Sequence, residues 1–328
     1  MLKDILLQDY PNGENFAIAL SPMDDITTRE YRTICKRYGA DVLFTEFVSS
    51  DALIRDVEKS YQKISFSKEE RPVGIQIFGS TESALVQAAQ RVEELNPDFI
   101  DINWGCPMKK IAGKGAGSGI LADIPKMLSI TKAVVKSVKL PVSVKTRISY
   151  DDNSTPITDF AEALQDCGIQ LLSIHGRTKQ QMYRGNADWT LIGKVKENPM
   201  INIPIFGNGD INTVEKFMEY KKRYALDGIL IGRHAVGNPF FFMHCKQAIM
   251  GKEITPITVK EKVSVCKEHL HTMCDNMGES RAMVMMKKFY SRYFLAIPDF
   301  KPYKLKLMEA KTIEEIDFIL SEISSNLA

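Results

Sequence analysis

The sequence predicts an α/β protein, a TIM (β/α)8 barrel followed by a small C-terminal helical bundle. Three observations carry this expectation. Eight short, β-branched apolar runs alternate with stretches of helical periodicity, each run leads into polar or glycine-containing residues, and beyond residue 258 only helical periodicity is left.

The runs are 17–20, 42–44, 73–77, 99–102, 142–144, 171–174, 203–206 and 228–231, with helical patterns such as 27–38, 81–95, 124–138 and 159–167 between them. Eight βα units in this length match a TIM barrel, whose C-terminal strand ends meet at one mouth where active sites are built. The residues at those ends are Ser21-Pro22-Met23, Glu46, Gln76, Asn103, Lys145, His175, Asn208-Gly209-Asp210 and Gly232-Arg233. They would therefore converge in space. A Rossmann-type sheet would also use parallel strands, but no G-x-G-x-x-G follows the first run, and the Gly-Lys at 113–114 lacks the Ser or Thr of a Walker loop. Segment 238–250 reads as a closing helix and 251–256 as a linker, while apolar spacing in 259–273, 282–294 and 313–323 predicts the bundle. The expected division is a catalytic domain over 1–250 and a helical domain over 251–328.

Composition narrows the class. The 328 residues include 43 Lys+Arg, 41 Asp+Glu and 44% hydrophobic residues, enough apolar material for a core and too balanced in charge for a disordered chain. No run of about 18 uncharged apolar residues offers a membrane span, and the first 20 residues lack the apolar core and cleavage site of a secretory signal. The expectation is a cytoplasmic protein, unattached to a membrane. Six scattered cysteines without a C-x-x-C pair predict neither a disulfide framework nor a zinc knuckle. No metal is expected, and Cys266, His269, His271 and Cys274 read as parts of a packed helix. Charge is distributed unevenly: residues 1–240 are balanced, whereas 281–306 carry seven basic side chains and one acidic. Arg281, Lys288 and Arg292, at intervals of seven and four, are expected on one helical face with Lys287 flanking it, and with Tyr290, Tyr293 and Tyr303 interleaved they resemble a surface for a phosphate backbone and its bases, although a charge run is commonly just a solvated face.

Individual candidates follow from position. Small residues in the corners Gly207-Asn208-Gly209-Asp210 and Gly232-Arg233 let backbone N–H groups approach an anion, and at the ends of strands seven and eight this is the usual phosphate cradle of the fold. Arg233 adds a planar charged fork. Lys145 would point into the mouth, where it can hold negative charge. Cys106 lies one tight turn past strand four, in Asn103-Trp104-Gly105-Cys106-Pro107; a lone cysteine is usually a small core residue, but here glycine and proline shape a turn that delivers the thiol to the mouth. A mostly protonated thiol suits a general acid, with nucleophile as the rival role.

These motifs together resemble the tRNA-dihydrouridine synthase family over nearly the whole chain. The resemblance is carried by Ser-Pro-Met at 21–23 with Tyr31-Arg32, Gln76-Ile77-Phe78-Gly79, Asn103-x-Gly105-Cys106-Pro107 and Lys145-Thr146-Arg147. It continues through the stretch from His175 to Trp189, the corners at 207–211 and 231–233, and Gly237-Asn238-Pro239. Gly115-Ala116-Gly117-Ser118-Gly119 is similar to the bacterial B-type subgroup, which points to position 17 of the D-loop. The resemblance implies an FMN-bound barrel with a helical tRNA-binding domain that reduces a uridine in tRNA with NADPH. It assigns FMN contacts to Ser21, Pro22, Met23, Gln76, Lys145, His175, Asn208, Gly209, Asp210, Gly232 and Arg233. Cys106 matches the proton donor, Asn103 the active-site asparagine, and Arg177 joins the substrate side. The first motif departs from the family's common Ala-Pro-Met start and places Asp24 and Asp25 near the mouth. A monomer is the default expectation, since one face docks the tRNA. Two other readings stay open, a small-molecule FMN oxidoreductase of the dihydroorotate dehydrogenase type and a non-catalytic RNA-binding module.

Overall fold

Eight parallel strands close into a barrel in the computed structural model, which describes residues 2–11 and 13–327. Met1 and Ala328, the outer ends of the two expected domains, lie outside the described residues. The strands are β1 (Asn15–Leu20), β2 (Leu43–Phe44), β3 (Val73–Phe78), β4 (Phe99–Trp104), β5 (Val142–Arg147), β6 (Leu171–His175), β7 (Ile205–Asn208) and β8 (Gly228–Ile231). Each pairs with its sequence neighbour from β2 to β8, and β8 returns to β1 with Gly228 opposite Ala17 and Ile231 opposite Leu20. The ring closes between β1 and β2 through a short parallel bridge, Ala19 to Val42, in which the Leu20 N–H donates to the Val42 carbonyl at 3.0 Å.

All eight expected runs are strands, but several extend further at their C-terminal ends. β5 continues through Lys145, Thr146 and Arg147, and β4 through Asn103 and Trp104. Polarity hides these residues from an apolar count. Inside the barrel mouth their polar side chains find partners, so the ladder continues beneath them.

The barrel interior is filled by alternate residues: Ala17 and Ala19, Val42 and Phe44, Phe99, Leu171, Phe206 and Leu230 form one buried cluster. Large rings need small opposite numbers. A Cβ on Gly74 would stand 2.2 Å from the Phe99 ring, and one on Gly228 would stand 2.6 Å from Phe206. A short N-terminal helix, Leu2–Leu6, joins this cluster through buried Leu2 and Leu6. The opposite ends of the strands are left for the site.

Around the barrel run α1 (Arg29–Arg37), α2 (Ser50–Ile54), α3 (Glu82–Glu94), α4 (Ile124–Ser137), α5 (Ala161–Asp166), α6 (Thr190–Glu197), α7 (Val214–Tyr224) and α8 (Phe240–Ile249). Residues 252–258 lack regular structure and lead into α9 (Val259–Met277), which starts with a Thr258–Glu261 capping box. Next come α10 (Glu279–Met286), α11 (Tyr290–Tyr293), α12 (Lys301–Glu309) and α13 (Ile313–Asn326). Val263, Cys266, Leu270 and Met273 of α9 are buried at helical spacing, and the chain's larger apolar cluster runs from the barrel helices through them. α9 meets α1 directly: Tyr31 packs on His269 and Phe289, and Arg37 grips Glu268 through bonds of 2.7 and 2.6 Å.

Two expectations about the basic segment need correction. Residues 282–294 are two helices with a turn between them, because Phe289 folds into the core and interrupts the periodicity, so Arg281, Lys288 and Arg292 do not share one helix. Tyr290 and Tyr293 are fully buried, the latter with its hydroxyl against His269 Nδ1 at 3.2 Å, and neither ring is free to stack on a base. Tyr303 alone of the three is partly exposed. Cys266 and His269 are likewise packed, as expected, whereas Cys274 is half-buried and His271 is exposed, 2.9 Å from Asp317.

Candidate functional site

The C-terminal ends of the strands surround a cavity of about 1640 Å³. Its wall brings together Ser21, Pro22, Met23, Gln76, Asn103, Cys106, Lys145, His175, Arg177, Asn208, Gly209, Asp210, Gly232 and Arg233, and from the C-terminal helices Arg292. Arg281, Lys287 and Lys288 lie outside it.

Cys106 sits in this wall with its thiol buried, and the backbone around it is held from three sides. The Asn103 Oδ1 accepts the N–H groups of Gly105 and Cys106 at 3.0 and 2.8 Å. Arg147, almost wholly buried, donates from Nε to the Gly105 carbonyl at 2.7 Å and from Nη1 to the Thr178 and Met182 carbonyls at 2.9 Å. Beneath, Ser118 donates from N and Oγ to the Cys106 carbonyl at 3.0 Å, and Gly117, at φ +51°, passes so close that a Cβ would stand 2.7 Å from that oxygen. The Gly115–Gly119 motif is thus a support for the cysteine turn. Burial pushes the thiol above its ordinary value, against the opposing pull of a backbone N–H and of Arg147 and Lys145, so the sulfur holds its proton at neutral pH.

Asn103 is itself the end of a buried chain of hydrogen bonds. Its Nδ2 donates to Gln76 Oε1 at 2.8 Å, Gln76 Nε2 donates to Asp101, and the Ser143 hydroxyl donates to the other Asp101 oxygen. Asp101 was not singled out from sequence. The one hint is a carboxylate in the apolar strand Phe99–Trp104, where every residue is buried. Burial raises its pKa to about 6, partly opposed by Gln76, Ser143 and Lys145. The sign follows from linkage: an acid whose pKa is raised on folding favours the folded state below its unfolded pKa near 4, and that contribution is lost as pH rises through 6. Relative to Asp101→Asn, the wild type should therefore lose roughly 1 to 1.5 kcal/mol of unfolding free energy between pH 5 and pH 8. Urea titrations of both proteins at several pH values would read this, and a constant difference would contradict it.

The opposite wall is cationic. Lys145, deep in the barrel, donates to Asn208 Oδ1 at 3.1 Å, and burial and Arg147 bring it down to about 8. His175 is held neutral by burial and by Arg147, Lys145, Arg177 and Arg233 around it. Gly209 takes φ +129°, and a Cβ there would meet Ala187 at 2.6 Å, so backbone is presented where a side chain could not fit. Asp210 accepts from Arg177 at 2.6 Å and from Arg233 at 3.1 Å and aligns both forks, while Arg177 also donates to the Gly185 carbonyl. Altogether the cavity is lined by eight Lys or Arg and two Asp. Such a surplus favours an anionic occupant.

The variant first motif has a structural role. Asp24, Asp25 and Glu46 bring carboxylate oxygens close enough together to hold a metal ion, but the Lys63 ammonium contacts all three, at 3.2 Å from Asp25 and 3.1 Å from Glu46. Asp25 also takes Lys288 at 3.0 Å. Lys288, expected on the RNA side, thus joins the C-terminal helices to the loop after β1.

The donor set suits a flavin mononucleotide. The glycine-rich corner beside Arg233 suits its phosphate, the buried Lys145 cation an electron-rich ring edge, and the polar edges of Gln76 and Asn103 its pyrimidine functions. By overall shape the chain is similar to histamine dehydrogenase from Rhizobium sp. 4-9, with TM-score 0.56 and 12% identity over 83% of this chain and 51% of that one. It is also similar to a 2-naphthoyl-CoA reductase, with TM-score 0.53 and 11% identity over 77% of this chain and 53% of that one. These likenesses show the fold, and the chain spans about half the length of each. By sequence, a probable tRNA-dihydrouridine synthase of Rickettsia conorii is 34% identical over 284 residues, 86% of this chain and 85% of its own. The tRNA-dihydrouridine synthase B of Shewanella oneidensis is 33% identical over 314 residues, 94% and 97% of the two chains. The family model for dihydrouridine synthase matches residues 19–327, so from the first barrel strand to the last helix this chain belongs to the dihydrouridine synthase family.

Proposed function

We propose that the protein reduces the C5=C6 bond of a uridine in tRNA, with FMN in the barrel mouth and NADPH as the reductant. The observation that supports this best is a buried, protonated thiol in the wall of a cation-lined cavity. Held by these residues and reduced by NADPH, FMN would supply hydride chemistry at uracil C6. Cys106 supplies the proton for C5, and both atoms of the added pair are then accounted for. The thiolate left behind is stabilised by Arg147 and Lys145, both of which act on it electrostatically, until it recovers a proton from solvent. Asn103 and Gln76 keep the thiol's turn in register, and Lys145 holds negative charge on the cofactor side. The Gly209 corner, with Arg233 positioned by Asp210, holds phosphate.

The base must leave its stack to enter the cavity, at a cost of a few kcal/mol that contacts elsewhere on the tRNA offset. Cations of the C-terminal region, the exposed Arg281 and the half-buried Lys287 among them, are suited to this. Arg281→Glu combined with Lys287→Glu should weaken tRNA binding and lower the slope of log affinity against log salt by about two. An unchanged slope in filter binding would remove these residues from the interface. A cytoplasmic monomer acting on folded tRNA fits this reading. The reaction itself is tested by incubating the flavin-loaded protein and NADPH with tRNA lacking dihydrouridine. Mass spectrometry should find a gain of two hydrogens at one uridine. NADPH oxidation with no such product would sink the assignment, and turnover of orotate-like compounds without RNA would favour a small-molecule oxidoreductase.

A further inference from the structure

Beside the main cavity a smaller notch of about 120 Å³ opens between the barrel and the C-terminal helices. Arg233 and His234 come to it from the end of β8, Lys262 from α9, and Arg292 from α11. No acidic residue lines it. Three cations of different elements thus converge on a space large enough for one tetrahedral oxyanion and too small for a nucleoside.

Such an arrangement opposes folding unless something compensates it, because like charges repel more strongly as water is excluded. Within the protein the compensation is partial. Arg233 shares Asp210 with Arg177. Lys262 and Arg292 make no ion pair among the described residues. Burial alone acts on Lys262, lowering its pKa with no carboxylate to oppose it. His234 is held towards its neutral form by burial and by Arg292, with Nε2 3.3 Å from the Asn238 amide nitrogen. Arg233, His234 and Arg292 also line the main cavity, so the notch is continuous with it.

We propose that Lys262, Arg292, His234 and the outer side of Arg233 form a phosphate-binding notch that anchors a substrate whose reacting part occupies the main cavity. The notch is separate from the Gly209 corner and rests on the proposed reduction of tRNA. Its ligand is a phosphate group, and two reactants of that reaction carry one, the RNA backbone and NADPH.

Lys262 lies outside the parts assigned to flavin and thiol, which makes it the residue to change. In flavin-loaded Lys262→Gln, a backbone phosphate predicts tRNA affinity down about fivefold at low salt and a salt slope smaller by about one, with the KM for NADPH in flavin reduction unchanged. A phosphate of NADPH predicts instead a similar rise in that KM, with tRNA binding unchanged. In either case Lys262→Arg should restore the wild-type value. The proposal is overturned if Lys262→Gln alters neither quantity, or alters them only with a matching fall in melting temperature that Lys262→Arg does not repair. Failure of the underlying reaction is read separately, as absence of dihydrouridine from wild-type protein.

Discussion

Cys106→Ala should bind FMN as the wild type does and be reduced by NADPH, yet form dihydrouridine about 10² to 10⁴ times more slowly. The loss is confined to one proton. Removing the sulfur leaves the Asn103 clamp intact, because that clamp holds the backbone N–H groups of Gly105 and Cys106 and no side-chain atom of the cysteine. Arg147 likewise hydrogen-bonds backbone carbonyls and touches no side-chain atom that the substitution removes. The turn therefore keeps its shape, and the flavin's visible spectrum should be that of the wild type. Cys106→Ser should fall between the two or match alanine, since a hydroxyl is a far weaker acid than a thiol. The measurement is single-turnover oxidation of reduced enzyme by tRNA. Near-normal rates in Cys106→Ala would transfer the acid role to another group, of which a water held by Asn103 and Lys145 would be the first to consider.

The second large effect is on stability. Arg32→Leu should lower the unfolding free energy by about 3 to 5 kcal/mol, a sizeable part of what a typical domain has. Arg32 and Glu70 are both wholly buried and paired at 2.6 Å. Arg32 also donates to the Thr27 carbonyl at 2.7 Å and the Ser65 carbonyl at 2.6 Å. Without the guanidinium, Glu70 keeps only the Ser67 N–H at 2.7 Å and is left as a nearly uncompensated buried charge. Removing both partners, as Arg32→Leu with Glu70→Leu, should recover much of the loss, because the cost lies in the stranded carboxylate more than in the absent pair. If the double variant is as unstable as the single one, the two carbonyl contacts carry the stability instead. Those contacts bear on the site as well, since Thr27 ends the loop that sets Ser21, Pro22 and Met23 in the cavity wall.

How far the sequence could be read depended on whether a residue's role was local. Strand ends were legible because apolar runs stop there and the barrel's own topology then gathers them, so Gln76, Asn103, Lys145, His175 and Arg233 fell into one cavity as expected. Cys106 was legible through its Gly and Pro neighbours. Asp101 was not, since its partners Gln76 and Ser143 are 25 and 42 residues away and only the closed sheet brings them together. Arg147, quoted within a motif but given no role, is a similar case: it lies three residues beyond the expected end of its strand, and its partners Gly105 and Thr178 are 42 and 31 residues away. In the C-terminal region, charge spacing suggested a surface with stacking rings, but Tyr290 and Tyr293 serve the core. Composition reports which side chains are present, whereas burial is decided by which face of each short helix the barrel covers.

The filled lower end of the barrel has a kinetic consequence. With Leu2 and Leu6 stopping one end and rings packed across the middle, the described residues leave the cavity open at the C-terminal ends of the strands. Under the proposed reaction a nicotinamide and a uracil must then take turns at it, and the enzyme works as a two-stroke device that is charged by one visitor before it admits the other.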